Sequence, residues 1–219
     1  MSKDNSLLLL RSFSRRIGKT LSNIQKSLID EDLPKFLVDK NEPIKAIKND
    51  IVIEIGIGMA EHFINQCSLN LDMTFIGCEP YLNGIANCLK LAKEKNVANF
   101  KLWPDDADFI LNNIPSHACS IIYVLFPDPW PKTNHKKRRF MNIPRIKLIC
   151  DLLKNNGRLI FASDISDYVD FVLETALENG FIDVHSNKTT PHEGYVMTKY
   201  NAKAIEAGRD PQFLILKKE

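Results

Sequence analysis

The sequence predicts an α/β fold: a mostly parallel sheet of about seven strands with helices on both faces, preceded by a basic N-terminal extension. Three observations predict it. From residue 51 onward, short apolar runs alternate with stretches of helical spacing, five times in succession. The runs are short and mostly apolar, and five strand–helix repeats suit a parallel sheet covered by helices on both faces. And 219 residues, 44% hydrophobic and 26% charged, supply enough apolar material for one α/β core.

Taken in order, 51–55, 73–78, 99–102, 120–126 and 158–162 read as strands, and 60–70, 81–95, 105–113, 143–154 and 166–180 read as the helices between them. Runs at 181–185 and 213–217 add two more strands at one edge. Residues 1–50 are polar, basic and interrupted by Pro34 and Pro43, so the chain divides into an extension, 1–50, and a sheet domain, 51–219.

The net charge of +2 says little, but its distribution says more. Residues 1–30 carry six basic side chains (Lys3, Arg11, Arg15, Arg16, Lys19, Lys26) against two acids. A second cluster, Lys132 to Arg139, contains no acid. Clustered positive charge beside a folded core suits an anionic polymer. The five cysteines show no metal-ligand spacing and sit in apolar stretches, as reduced core residues do. The apolar run at 7–10 is too short for a signal peptide or a membrane span, so a cytoplasmic protein without a membrane partner or a metal is expected.

The first strand ends in Glu54-Ile-Gly56-Ile-Gly58-Met-Ala60, and a helix follows. Glycines there let the backbone turn sharply and approach a ligand. A dinucleotide reading would need a small residue at Glu61. Glu54 lies within the strand end, where a carboxylate needs a partner: either a structural Lys or Arg, or a cationic ligand. S-adenosylmethionine, with its ammonium and sulfonium, is such a ligand. The second strand ends at Glu79, placed to accept ribose hydroxyls. After the third comes Asp105-Asp106, where an acid can accept an adenine amino group or cap the next helix.

The fourth strand runs into Pro127-Asp128-Pro129-Trp130-Pro131-Lys132, a loop stiffened by three prolines. Such a loop is a good platform for an active-site carboxylate, here Asp128, beside the flat face of Trp130. The basic run that follows it suits a phosphate clamp next to a base pocket.

The segment Phe126-Pro-Asp-Pro-Trp-Pro-Lys132, followed by His135-Lys-Lys-Arg-Arg139, resembles the signature of bacterial tRNA (guanine-N7-)-methyltransferases. Arg11–Arg16 is similar to that family's basic arm, Glu54–Gly58 to its cofactor loop, Ala162-Ser-Asp164 to its substrate segment and Thr198-Lys-Tyr200 to its C-terminal motif. The resemblance implies a Rossmann-like, S-adenosylmethionine-dependent methyltransferase fold, acting on N7 of a guanine at position 46, in the variable loop of tRNA. It implies Glu54, Gly56, Gly58, Glu79, Asp106 and Asp128 around the cofactor, and Lys132, Asp164, Thr198, Lys199, Tyr200 and Asn201 around the substrate nucleotide. Asn134, His135, Lys136, Lys137, Arg138 and Arg139 would meet RNA. No obligatory protein partner is expected, so the chain would be a monomer or homodimer. Two positions depart from the pattern: Ala60 replaces a glycine, and Asn201 replaces a glutamate.

Guanine N7 has an in-plane lone pair and no proton, so no general base is expected. Asp128 would stabilise the charge arriving on the ring. Asp164 would accept from the N1–H and N2–H₂ edge and so select guanine, and the target base would have to be unstacked.

Overall fold

The computed structural model describes residues 20–40, 44, 50–185 and 187–219. The basic arm at 11–16 lies outside the described residues. The sheet has seven strands: β1 (Ile51–Ile55), β2 (Thr74–Cys78), β3 (Phe100–Trp103), β4 (Cys119–Leu125), β5 (Leu153–Ser163), β6 (Phe181–Asp183) and β7 (Gln212–Lys218). Their order is β3-β2-β1-β4-β5-β7-β6. The first five are parallel, and β7 runs antiparallel between β5 and β6. The chain reverses its direction of winding between β1 and β4. In open α/β sheets a ligand crevice forms beyond the carboxyl ends of the strands at that point.

Every residue of β1 is buried. Ile51, Ile53 and Ile55 face one apolar layer, with Ile146 and Ile149 of α6 (Ile143–Leu152) and Val169 and Val172 of α7 (Ser166–Leu177). Val52 faces the opposite layer, with Phe63 and Ile64 of α3 (Glu61–Leu69) and Ile85 and Leu89 of α4 (Leu82–Lys95). Strand alternation therefore turns Glu54 toward α3.

Residues 22–36, read from sequence as part of a polar extension, form short helical turns: α1 (Asn23–Ser27), a π-helical turn (Leu28–Asp32) and α2 (Leu33–Phe36). A reciprocal capping box between Ser22 and Gln25 opens them. Leu28 and Leu33 are buried in the α4 layer, Phe36 stacks on Phe100 at 4.5 Å between ring centroids, and Asp32 binds Lys35 and Lys93. The backbone N–H of Val38 donates to the Leu102 carbonyl, which closes the outer edge of β3.

A six-residue helix, α5 (Asp108–Asn113), follows β3; a 3-10 helix, Thr133–Arg138, follows the proline loop; and α8 (Lys199–Glu206) precedes β7. The five cysteines are unpaired, and all but Cys150 are buried. Among the described residues, no helix is long and apolar enough to cross a membrane.

Candidate active site

A cavity of about 350 Å³ opens at the carboxyl ends of β1 to β4, the size of a small-molecule site. Gly56, Gly58, Glu79, Asp106, Asp128 and Tyr200 all line it.

The turn from β1 into α3 passes through three left-handed residues, Gly56 (φ +78°), Gly58 (φ +55°) and Ala60 (φ +64°). For an alanine this costs on the order of 1–2 kcal/mol. The Ala60 methyl is fully buried in the α3 layer, which returns about 0.8 kcal/mol and so offsets part of that cost. Glu79 holds the turn in place. Its carboxylate accepts from the Gly58 N–H at 2.8 Å and the Tyr81 N–H at 2.9 Å, tying the β1 turn to the start of α4. Burial raises the Glu79 carboxyl to about 7, although both N–H groups act to lower it.

Glu54 does have a partner within the chain, but it is neither Lys nor Arg. His62, on α3, places Nδ1 2.7 Å from the Glu54 carboxylate, and His62 Nε2 lies 2.9 Å from His192 Nε2. Glu54 reaches a second, smaller cavity of about 20 Å³, shared with Gly58, His62 and Thr198–Tyr200. Asp106 meets both sequence readings: it lines the main cavity, and its carboxylate accepts the Asp108 N–H at the start of α5, at 3.2 Å.

The proline loop is held in an unusual conformation. Phe126 and Trp130, flanking Pro-Asp-Pro, have φ of +50° and +42°. Such backbone costs on the order of 1–3 kcal/mol per residue and persists only where the surroundings fix it. Here the Phe126 N–H donates to the Ala162 carbonyl at 2.8 Å, and Arg139 Nε donates to the Pro129 carbonyl at 2.9 Å. Asp128 is open to solvent at the cavity mouth, and desolvation by the surrounding protein raises its carboxyl above the ordinary aspartate range. The Arg138 guanidinium lies 5.0 Å from the Trp130 ring centre, and His135 meets the same ring edge-on.

A family model described as "Putative methyltransferase" matches residues 48–214. The tRNA (guanine-N(7)-)-methyltransferase of Azorhizobium caulinodans is 38% identical over 92% of this chain and 92% of its own length. The chain belongs to the tRNA (guanine-N7-)-methyltransferase family. The bifunctional methyltransferase of Rickettsia conorii is 50% identical over 95% of this chain but only 40% of its own length, so the chain spans less than half of that longer relative. Among solved structures, the 16S rRNA methyltransferase KamB superposes with a TM-score of 0.57 at 11% identity, covering 78% of this chain and 88% of the other. The [4+2]-cyclase SpnF does so with 0.53 at 12% identity, covering 78% and 74%. A methyltransferase and a cyclase on one fold mean that the chemistry must be argued from the site.

The positions matching the family's motifs separate into two groups. Lys199 and Tyr200 line the main cavity, and Thr198 caps α8 by accepting the Asn201 N–H. Lys132, Asn134 and Lys137 are exposed, and His135 is half-buried. Three further residues are engaged by other groups in the chain. Asp164 is bound by Arg209 at 2.5 Å and lies outside the lining of the cavity. Asn201 is buried, and its Nδ2 donates to the Tyr195 hydroxyl at 2.9 Å. Arg139, expected among the RNA contacts, is only 5% exposed. Besides Pro129 it grips both oxygens of Asp167 at 3.1 and 3.2 Å, and its guanidinium lies 4.5 Å from the Tyr168 ring centre. Lys136 pairs with the same Asp167, and the two cations hold that carboxyl below its usual range.

We propose that Arg139 braces the proline loop. Arg139→Ala is expected to lower turnover about 10- to 100-fold while tRNA affinity stays within about threefold. Lysine should not restore it, because one ammonium lacks the planar fork that serves Pro129 and Asp167 together. Steady-state kinetics with a filter-binding titration decide; lost tRNA affinity at unchanged turnover would return Arg139 to the RNA contacts.

Proposed function

We propose that this chain transfers the methyl group of S-adenosylmethionine to N7 of a guanine in tRNA. The observation that carries the reading is the convergence of Glu79, Asp106 and Asp128 on one cavity beside the strained proline loop, with Glu54 adjoining it, in a chain of this family.

The donor set fits such a molecule. Glu54 would hold the cationic ammonium, Glu79 the ribose hydroxyls and Asp106 the adenine amino group. A carboxylate has about four lone-pair sites, so Glu79 can accept two hydroxyls while keeping the Gly58 and Tyr81 N–H groups. When bound, S-adenosylmethionine supplies an electrophilic methyl group. The chain's own task is to hold N7 about 3–3.5 Å from it, in line, and to stabilise charge on the guanine ring. Asp128 does the second from the rigid loop. Tyr200 and Lys199, at the start of α8, and the exposed Lys132 and Lys137 serve the nucleotide and its phosphates.

The decisive experiment gives the chain methyl-labelled S-adenosylmethionine and unmodified tRNA, then maps the label by reduction and aniline scission. Cleavage at one variable-loop guanine supports the reading, including position 46. Label without such cleavage refutes N7, and no incorporation across several tRNAs refutes the activity.

Two further results are expected. The Glu79 carboxyl titrates near 7, and only its ionised form accepts both hydroxyls. Affinity for S-adenosylhomocysteine should thus be full above pH 8 and roughly tenfold weaker at pH 6, by calorimetry. A flat profile would remove Glu79 from the ribose. Replacing Lys132 and Lys137 together with alanine should weaken tRNA binding and reduce its log–log salt slope by about 1.5. An unchanged slope would mean that neither lysine meets phosphate.

A further inference from the structure

Beneath the cofactor turn, Glu54 is joined to two buried histidines, His62 and His192, that take no part in holding the cofactor or the nucleotide in the reading above. Glu54, His62 and His192 are 3%, 1% and 7% exposed. They come from β1, from α3 and from the segment before α8, with 130 residues separating the two histidines. An ionised Glu54 only accepts, so His62 donates through Nδ1–H. Its Nε2 then accepts from His192 Nε2–H. The opposite arrangement would leave an N–H on His192 Nδ1, a buried atom with no partner among the described residues. An unpaired donor there costs more than an unpaired lone pair. The three groups therefore form one directional hydrogen-bonded chain, His192 to His62 to Glu54.

The segment that carries His192 also carries the nucleotide motif, and α3 holds it at further points. Asn65 Nδ2 and Gln66 Nε2 both donate to the Gly194 carbonyl, at 3.1 and 2.9 Å. Tyr195 packs against His62, His192 and Phe213, and its hydroxyl accepts from Asn201 in α8. Glu54 and His62 share the small cavity with Thr198, Lys199 and Tyr200. These contacts form a continuous path from the Glu54 carboxylate to the start of α8.

We propose that His62 and His192 are positioning residues that couple the cofactor carboxylate Glu54 to the nucleotide motif at Thr198–Asn201, so that S-adenosylmethionine and the target nucleotide strengthen each other's binding. The proposal rests on the cofactor reading above. Binding energies are reciprocal, so tRNA must tighten the cofactor by the factor by which the cofactor tightens tRNA. The two ligands need not arrive in a fixed order.

The test is calorimetric titration of S-adenosylhomocysteine into the full chain, with and without saturating tRNA. The wild type is expected to show a ratio of dissociation constants of at least about fivefold. His192→Phe keeps the ring volume but removes the donor. Its ratio should fall below about twofold, with affinity in the absence of tRNA within about threefold of wild type. His192→Gln places an amide N–H where Nε2–H stood, and should restore most of the ratio. A merely structural histidine would lower both affinities and leave their ratio intact. A wild-type ratio near one, or a wild-type ratio in His192→Phe, overturns the coupling. If His192→Phe does not fold by circular dichroism, the wild-type ratio and its retention in His192→Gln decide. Wild-type chain that binds no S-adenosylhomocysteine defeats the cofactor reading and the coupling together, whereas binding without coupling defeats only the second.

Discussion

Alanine at position 84 is expected to abolish S-adenosylmethionine binding while the chain still folds. A Cβ on Gly84 would stand 2.0 Å from the Gly58 carbonyl oxygen and 3.1 Å from its carbon, and both are backbone atoms. No side-chain rotation relieves that contact. Either α4 or the β1 turn must move by more than an ångström, and α4 is fixed by the buried residues Ile85, Ala86 and Leu89. The turn yields, and with it goes the 2.8 Å bond from the Gly58 N–H to Glu79. We expect an affinity loss of at least about 100-fold, equal to about 2.7 kcal/mol. The strain of about 1–3 kcal/mol is partly offset by up to about 1 kcal/mol from replacing a helical glycine, so the melting temperature should fall only modestly. Calorimetry with a thermal melt checks both. Affinity within fivefold of wild type would show that the turn can shift without harm, and would undercut its role in binding.

Gly84 was not legible in the sequence. A glycine near the start of a helix reads as a weak helix former, and its reason here is a backbone 26 residues away. The same distinction runs through the molecule. Strands β1 to β4 begin and end within a residue or two of their apolar runs, because strands covered by helices are mostly apolar. Glu79, Asp106 and Asp128 could be singled out as acids just beyond such runs, and all three line one cavity. Residues 22–36 read as a polar extension, because Pro34 and the charged side chains outweigh the apolar spacing of Ile24, Leu28, Leu33 and Phe36. What makes them helical is contact, as when Phe36 meets Phe100. The Ser22–Gln25 capping box was a further local signal there. α8 likewise depends on its Thr198 cap more than on a buried face, with only Asn201 and Ala204 buried. Within Lys132–Arg139 composition treats every cation alike, and only Pro129 and Asp167 single out Arg139 as the buried one. His62 and His192 lie too far apart for any local pattern to pair them.

Removing the Asp128 carboxylate should lower the rate of methyl transfer about 10²- to 10³-fold, the usual magnitude for losing a group aimed at developing charge. The loop itself should survive the substitution. Its shape is set by Pro127, Pro129 and Pro131, by the Phe126 N–H on Ala162 and by Arg139 on the Pro129 carbonyl, and none of these involves the Asp128 side chain. Asp128→Ala is therefore expected to leave tRNA affinity within about threefold of wild type while single-turnover methylation collapses. Asp128→Asn separates charge from hydrogen bonding, because it keeps an acceptor of the same shape. If the carboxylate acts by opposing the positive charge on the guanine ring, asparagine should be nearly as slow as alanine. If it serves mainly as an acceptor for the bound ligands, asparagine should recover most of the rate. Turnover of Asp128→Ala within fivefold of wild type would exclude both roles. The stabilising charge would then have to come from another acid of the cavity, and Asp106, which also lines it, would be the next to replace.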